Sequence, residues 1–189
     1  DLSANIVAGK SYDYSDLDNN PEPINSLGDH GTSIAGLTSA VGGNNIGVRG
    51  VAPNSKVVGF NVIGGSNNTT SNMIDALGGA SGGAETGEID IFNMSFGTSA
   101  ERFFPTPISA SIETAFKNGA DNLRGGKGAI YVTSAGNQWS FRENSNVYYC
   151  GPNYGVNNLA EGFPCWDASF DTKLTVPYVI GVASLKESG

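Results

Sequence analysis

Basic charge is what this chain most lacks: 10 Lys and Arg stand against 18 Asp and Glu in 189 residues, for a net charge of −8. That balance argues against nucleic acid and anionic membrane surfaces as partners, because both select basic patches. Charge of either sign is sparse, at 15%. Together with 27 glycines, this describes an ordered, loop-rich chain rather than a disordered one. No apolar run approaches the roughly 18 residues that a spanning helix needs, so no transmembrane segment is expected in this chain. Only two cysteines are present, Cys150 and Cys165, and they flank the polar stretch CGPNYGVNNLAEGFPC. That stretch does not read as core, so the pair reads as a disulfide rather than two buried thiols. Closing such a loop is worth roughly 3 kcal/mol in the chain-entropy picture. A disulfide and sparse charge together indicate an exported protein, secreted or at the cell surface. Histidine occurs once, at His30. A lone imidazole at the head of a helix invites a catalytic reading, but an exposed or capping role suits it as well.

What is present is an alternation of apolar segments and helix signals. KVVGFNVI (56–63), EIDIFNMSF (88–96), GAIYVTSAG (128–136) and VPYVIGVAS (176–184) read as strands. Between them, Ile34, Leu37, Thr38 and Val41 follow helical spacing, as do Ile108, Ile112, Ala115 and Phe116, and more weakly Asn72 to Leu77. Strands apolar nearly throughout, alternating with helices, predict a mainly parallel sheet covered on both faces, an α/β/α arrangement. There is no internal repeat and no linker, so the chain is one domain or part of one. It opens at Asp1 without a Met and reads as a processed or excised piece of something longer. Parallel sheets bind ligands at the carboxyl ends of their strands. The segments to watch therefore follow Asn61, Met94 and Ser134, and all three run into Gly, Ser and Asn: IGGSNN, SFGTS and AGNQ.

Three local patterns carry candidate chemistry. His30 lies beside Asp29 in DHGTSIAG, at the start of a predicted helix whose Gly31, Ala35 and Gly36 allow close packing. Asn137, just past a strand in YVTSAGN, can aim a side-chain N–H at a developing oxyanion, although Gly-Asn after a strand is also a common turn. Asn93-Met94-Ser95-Phe96-Gly97 is a strand that runs out into glycine, where a peptide can pair with the main chain; an ordinary buried strand and turn is the plain alternative.

In order, DHGTSIAG, NNIGVRGVAP, NMSFG and SAGN resemble the subtilisin-like serine peptidases, the subtilases, over essentially the whole chain. GGKGAIYVTSAGN and the acidic loop before His30 are similar to the kexin and furin branch. The resemblance implies a subtilisin-like three-layer α/β/α fold and peptide-bond hydrolysis through an acyl-serine intermediate. By the same resemblance His30 is the general base and Asn137 the oxyanion donor. Ser95, Phe96 and Gly97 form one wall of the substrate cleft, Ser134, Ala135 and Gly136 another side of the specificity pocket, and Gly64, Gly65 and Ser66 the opposite backbone strand. Calcium is implied twice. Asp1 would bind it together with the carbonyls of Val41, Ile46 and Val48 and the side chain of Asn44, a hard-oxygen set that suits this ion. Asp13, Asp18 and Asn20, with Asp16 among them, resemble a second calcium loop; for these two sites a helix-capping Asp and a solvated acidic loop are the alternatives.

Two parts of the family's machinery have no match. Its triad runs Asp, His, Ser; the aspartate belongs upstream of the position matched by Asp1, and the serine motif belongs downstream of Gly189. Gly97-Thr98-Ser99-Ala100 leads into ERFFPTP rather than a small-residue helix, and Ser81 in Gly79-Ala80-Ser81-Gly82-Gly83 follows a helical segment where a nucleophile elbow needs a strand. Residues 1–189 therefore read as a partial catalytic domain, inactive alone, whose partners are the rest of that domain and a peptide substrate. A peptidase-like binding module that never had the serine is the competing reading, and an esterase using Ser81 a third. Thr98-Ser99-Ala100 stands where kexin-type enzymes carry acidic residues, so a preference for basic pairs does not transfer.

Overall fold

A computed structural model of the chain describes residues 1–22, 29–63, 68–79, 85–97, 107–136, 140–143, 146–149 and 171–184. The expectations for Gly64, Gly65, Ser66, Ser81, Thr98 to Ala100, Asn137, Cys150 and Cys165 lie outside those residues.

The core forms where alternation is cleanest. Strands β3 (Ile91–Met94), β4 (Ile130–Ser134) and β7 (Val179–Val182) make a parallel sheet in the order β3-β4-β7. Ile91 is in register with Ile130, and Val132 with Ile180. Side chains alternate across a strand, so Phe92, Met94, Tyr131 and Thr133 share the buried face. Helix α3 (Ala110–Gly126) presents Ala115 and Phe116 as buried residues, and Phe116 joins the cluster of Phe92, Met94 and Tyr131. Its first turn is closed by Ser109, whose hydroxyl accepts from the Ile112 N–H, the usual duty of an N-cap serine. Its helical backbone ends at Leu123, and Arg124 turns to a φ of 58°. The Tyr131 ring stacks on Phe92 and meets Phe116 edge-on, with centroids 4.8 and 5.0 Å apart. Burying each such ring contributes roughly 1.5–3 kcal/mol. The Tyr131 hydroxyl donates to the Leu77 carbonyl at 2.6 Å, which ties helix α2 (Thr70–Ala76) to this sheet.

A second parallel pair, β1 (Tyr12–Asp13) with β2 (Phe60–Asn61), continues the α/β pattern, and β5 (Ser140–Glu143) pairs antiparallel with β6 (Asn146–Tyr149). The parallel strands, as expected of an α/β fold, form a three-stranded and a two-stranded group, and among the described residues no strand bridges β2 and β3. A groove of about 2260 Å³ is lined by residues of both groups, Phe60 with Phe92 and Met94, and by Val62, Ile34 and Ala35.

Helix α1 (His30–Ser39) departs from its sequence pattern. Leu37, counted in its apolar stripe, is 63% exposed, while Ser39 and Ala40 are buried. The anchor is polar: buried Asn5 donates from Nδ2 to the carbonyls of Ser39 and Pro53, at 2.8 and 2.7 Å. The sheet face opposite α3 is also uncovered among the described residues. Ile91, Ile130, Ile180 and Val182 all lie there, each 47–58% exposed.

Candidate active site

The carboxyl ends of β3 and β4 are held side by side. Buried Thr133 donates from Oγ1 to the Met94 carbonyl at 2.8 Å. This side-chain bond adds to the ladder just where β3 ends and Ser95-Phe96-Gly97 begins. Ser95 exchanges hydrogen bonds with the Asn93 side chain at 3.0 and 3.2 Å, which fixes its hydroxyl against the strand end. Phe96 packs against the core, and Gly97 is exposed. On the neighbouring strand, Ser134 closes β4 and the Ala135 N–H donates to the Val182 carbonyl at 2.8 Å. Gly136 then turns with φ of 87°, a conformation that glycine adopts without a Cβ penalty. The six residues expected to line two sides of a cleft thus leave adjacent strands at one end of the sheet.

His30 opens α1, with Asp29 at the cap position and the Ser33 N–H donating to the Asp29 carbonyl at 2.9 Å. The Asp29 side chain makes no capping bond. The imidazole is exposed and borders the same groove as Asn61, Asn93, Ser95 and Phe96. His30 and the residues at the end of β3 thus line one groove. Asn137 and Gly64 to Ser66 fall outside the described residues, so of the expected catalytic pair only His30 is placed.

The residues of both metal expectations are among those described. Asp1 is seated on the loop that follows α1: its carboxylate accepts from the Val48 N–H at 3.1 Å and its carbonyl from the Val41 N–H at 3.0 Å. Gly47, at φ of 59°, makes room for it; a Cβ there would come 2.9 Å from the Asp1 carboxyl carbon. Within the same loop the Asn44 side-chain oxygen accepts from the Ile46 N–H at 3.1 Å. One carboxylate, one amide oxygen and three backbone carbonyls, the set expected from Asp1, Asn44, Val41, Ile46 and Val48, are ligand types that suit a hard cation such as calcium.

In the other loop, Asp13 is fully buried. Its Oδ1 accepts from the N–H groups of Ser15 and Asp16 at 2.6 and 3.2 Å, and its Oδ2 from Asn61 Nδ2 at 2.8 Å. Burial alone would raise the Asp13 pKa, but the hydrogen bonds from Asn61, Ser15 and Asp16 outweigh it and hold the carboxyl below its ordinary value. Asp18 accepts from the Asn20 N–H at 2.9 Å, and its carbonyl closes the turn by accepting from the Asp13 N–H at 2.8 Å. A turn stapled to β2 accounts for Asp13 without a metal. Among the described residues, no group of three or more His, Cys, Asp and Glu side chains could hold one. No described helix is long and apolar enough to cross a membrane.

Sequence reasoning passed over one polar pair beside the cleft, Asp171 and Lys173, both buried and bonded to each other. An acid two residues from a lysine is unremarkable in sequence, and its proximity to Gly97 is visible only in three dimensions.

Comparison with known proteins gives a consistent result. A profile of the subtilase family matches residues 1–188. Furin-1 of Xenopus laevis is 34% identical over 140 residues, 72% of this chain and 17% of the relative. Neuroendocrine convertase 2 of Homo sapiens is 35% identical over 145 residues, 75% of this chain and 22% of the relative. Among solved structures, the serine protease of Aeromonas sobria in complex with its chaperone superposes with a TM-score of 0.63 at 28% identity, covering 81% of this chain and 25% of that one. The chain spans about a fifth of the length of these curated relatives.

Proposed function

The chain belongs to the subtilase family, and from that premise we propose that it is the central part of the catalytic domain of a secreted or cell-surface serine endopeptidase. The observation that carries the reading is the shared groove. His30, at the head of α1, lines it together with Ser95 and Phe96, where β3 ends beside β4. A peptide laid along that strand end would bring its scissile carbonyl within reach of a base on α1. His30 would take the proton of a serine hydroxyl supplied from outside this chain and return it to the departing amine. Asn137 would donate its amide N–H to the tetrahedral oxyanion. Gly64, Gly65 and Ser66 would hold the substrate backbone from the opposite side, and Ser134, Ala135 and Gly136 would flank the specificity pocket. The exposed apolar face of β3, β4 and β7 supports the reading of a partial domain, since a free surface of this kind marks a place where something packs.

Calcium belongs to this reading at the Asp1 loop, where Asp1, Asn44 and the carbonyls of Val41, Ile46 and Val48 would hold it. When bound, the ion supplies positive charge that fixes the chain start to the loop after α1. A second ion at Asp13, Asp18 and Asn20 would have to compete with the turn and with Asn61. A disulfide between Cys150 and Cys165 fits an extracellular setting.

The test compares two proteins on peptide substrates. The pure 189-residue chain is expected to show no turnover. The longer protein that contains it is expected to cleave peptides and to be stopped by a serine-directed fluorophosphonate. Turnover by the short chain would mean that the nucleophile lies within it. A long protein that binds peptides without cleaving them would be the binding module instead.

A further inference from the structure

Helix α1 carries the candidate base at one end and is held at the other. Of its residues only Ser39 is buried, and His30 to Ser33 are all exposed. Apolar packing within this chain therefore does little to set the direction of the helix. Its last carbonyls, which no intrahelical N–H can reach, are instead taken by other segments. Leu37 and Thr38 accept from the N–H groups of Val51 and Ala52 at 3.0 and 2.7 Å, and Ala40 from that of Gly50 at 2.9 Å. Ser39 accepts from the side chain of Asn5 at 2.8 Å.

Three of these four donors are backbone groups, so Asn5 is the place where a side chain decides the joint. Its Nδ2 gives a second hydrogen to the Pro53 carbonyl at 2.7 Å, and one amide thereby joins the tail of α1 to the segment that receives it. Its Oδ1 faces the Lys56 ammonium at 3.4 Å, which keeps the nitrogen turned towards the two carbonyls. Asn5 is itself 4% exposed, and its carbonyl accepts from the Val57 N–H at 2.8 Å. Gly50 lies directly on the helix end: a Cβ there would come 2.5 Å from the nitrogens of Ser39 and Ala40. The joint is rigid, and the helix is a lever on it. Ten residues with a rise of about 1.5 Å each place its two ends about 13 Å apart. A tilt of about 4° at the tail moves His30 by about 1 Å, and a misplacement of that size can cost about 10²-fold in rate.

Resting on the reading of His30 as the base, we propose that Asn5 is a positioning residue for catalysis. It clamps the tail of α1 to Pro53 and so sets where the imidazole stands. Asn5 does not line the groove, so it acts through His30 and not on the substrate.

The experiment measures kcat, KM and peptide binding in the full-length protein for Asn5→Ala, His30→Ala and the double variant, with melting temperatures alongside. Asn5→Ala is expected to lower kcat by about 10²-fold, with KM and binding within about threefold of the wild type. In the His30→Ala background the same change is expected to move kcat by less than about threefold, because residues that act as a unit are not additive. Gly119→Ala, whose Cβ meets Tyr131 rather than α1, is the control; it is expected to lose stability and keep the wild-type kcat. Should Asn5→Ala fail to fold, Lys56→Met at an exposed position takes its place. It frees the Asn5 amide to turn and is expected to lower kcat by about threefold to tenfold with KM unchanged. Wild-type kcat in folded Asn5→Ala overturns the proposal, as does wild-type kcat in Lys56→Met where Asn5→Ala does not fold. A loss equal in both His30 backgrounds, or one that Gly119→Ala shares, overturns it as well. If His30→Ala cleaves like the wild type, the base reading itself fails, and the clamp with it. A full-length protein that binds peptides without cleaving them overturns the peptidase reading in the same way.

Discussion

Replacing Gly47 by alanine separates two contributions at the Asp1 loop. Gly47 has φ of 59°, where a side chain costs about 1–2 kcal/mol. The new Cβ would also lie 2.9 Å from the Asp1 carboxyl carbon, so the carboxylate has to move off the loop. Losing the bond from the Val48 N–H, a hydrogen bond to a charged group, costs about 1.5–3 kcal/mol, and the low end applies because this contact is exposed. The sum is about 3 kcal/mol, and with about 2–4 °C of Tm per kcal/mol for a chain of this size the expected loss is about 6–12 °C in the presence of chelator. Calcium adds a second, independent signal. At a hundredfold excess over its dissociation constant it stabilises the native state by about 2.7 kcal/mol, a rise of about 5–11 °C. The wild type is expected to show that rise in a calorimetric or circular dichroism melt, and Gly47→Ala to show almost none. A variant that melts with the wild type in chelator refutes the seating of Asp1. A variant that keeps the full calcium shift refutes the assignment of the ion to this loop.

Gly119→Ala is expected to be destabilising although alanine favours helix by about 1 kcal/mol, because its Cβ would come 2.7 Å from Cζ of fully buried Tyr131. Overpacking costs about 1–3 kcal/mol and outweighs the propensity gain; urea denaturation that finds the variant more stable than the wild type refutes this packing. Burial pushes the Tyr131 hydroxyl pKa up to about 12, so Tyr131→Phe is expected to leave the phenolate absorbance gained by pH 11 almost unchanged, and a loss of one tyrosine's worth of that band with the fold intact would contradict its burial. Asp13 has a folded pKa below its ordinary 3.8, so its contribution to stability is complete above that value and is lost as pH falls through the lower folded value. Asp13→Asn is therefore expected to flatten the acid limb of stability below pH about 4, and an unchanged limb in a chemical-denaturation series refutes it.

The strands were legible because a buried parallel sheet imposes near-continuous apolar runs, and IFNM and IYVTS fall within the segments read from pattern alone. Phe116 and Ala115 were legible for the related reason that a helix packed on a sheet must repeat with helical spacing. The pattern misjudged Leu37, since periodicity states which residues share a face but not whether anything covers that face. The break between β2 and β3 was equally invisible, because pairing between strands depends on which neighbours are present. At the site, His30, Ser95 and Gly97 stand in short contiguous motifs and could be read directly. Asp171 and Lys173 could not, as their nearness to Gly97 comes from folding together segments far apart in the chain. Asp13 was singled out by resemblance to a calcium loop; its hydrogen bonds to the turn that it closes and to Asn61 could not be read from that resemblance.

The central claim, that His30 is the base of a serine peptidase whose nucleophile lies outside this chain, is tested most directly by His30→Ala in the full-length protein. With the fold verified by circular dichroism, kcat on a peptide substrate and the rate of fluorophosphonate labelling are measured together. The account predicts that kcat falls by about 10⁶-fold, the order seen when the histidine of subtilisin is removed, that labelling slows sharply, and that peptide binding persists. A folded His30→Ala protein that still cleaves and labels within about tenfold of the wild type would contradict it, since a true base contributes at least about 10²-fold.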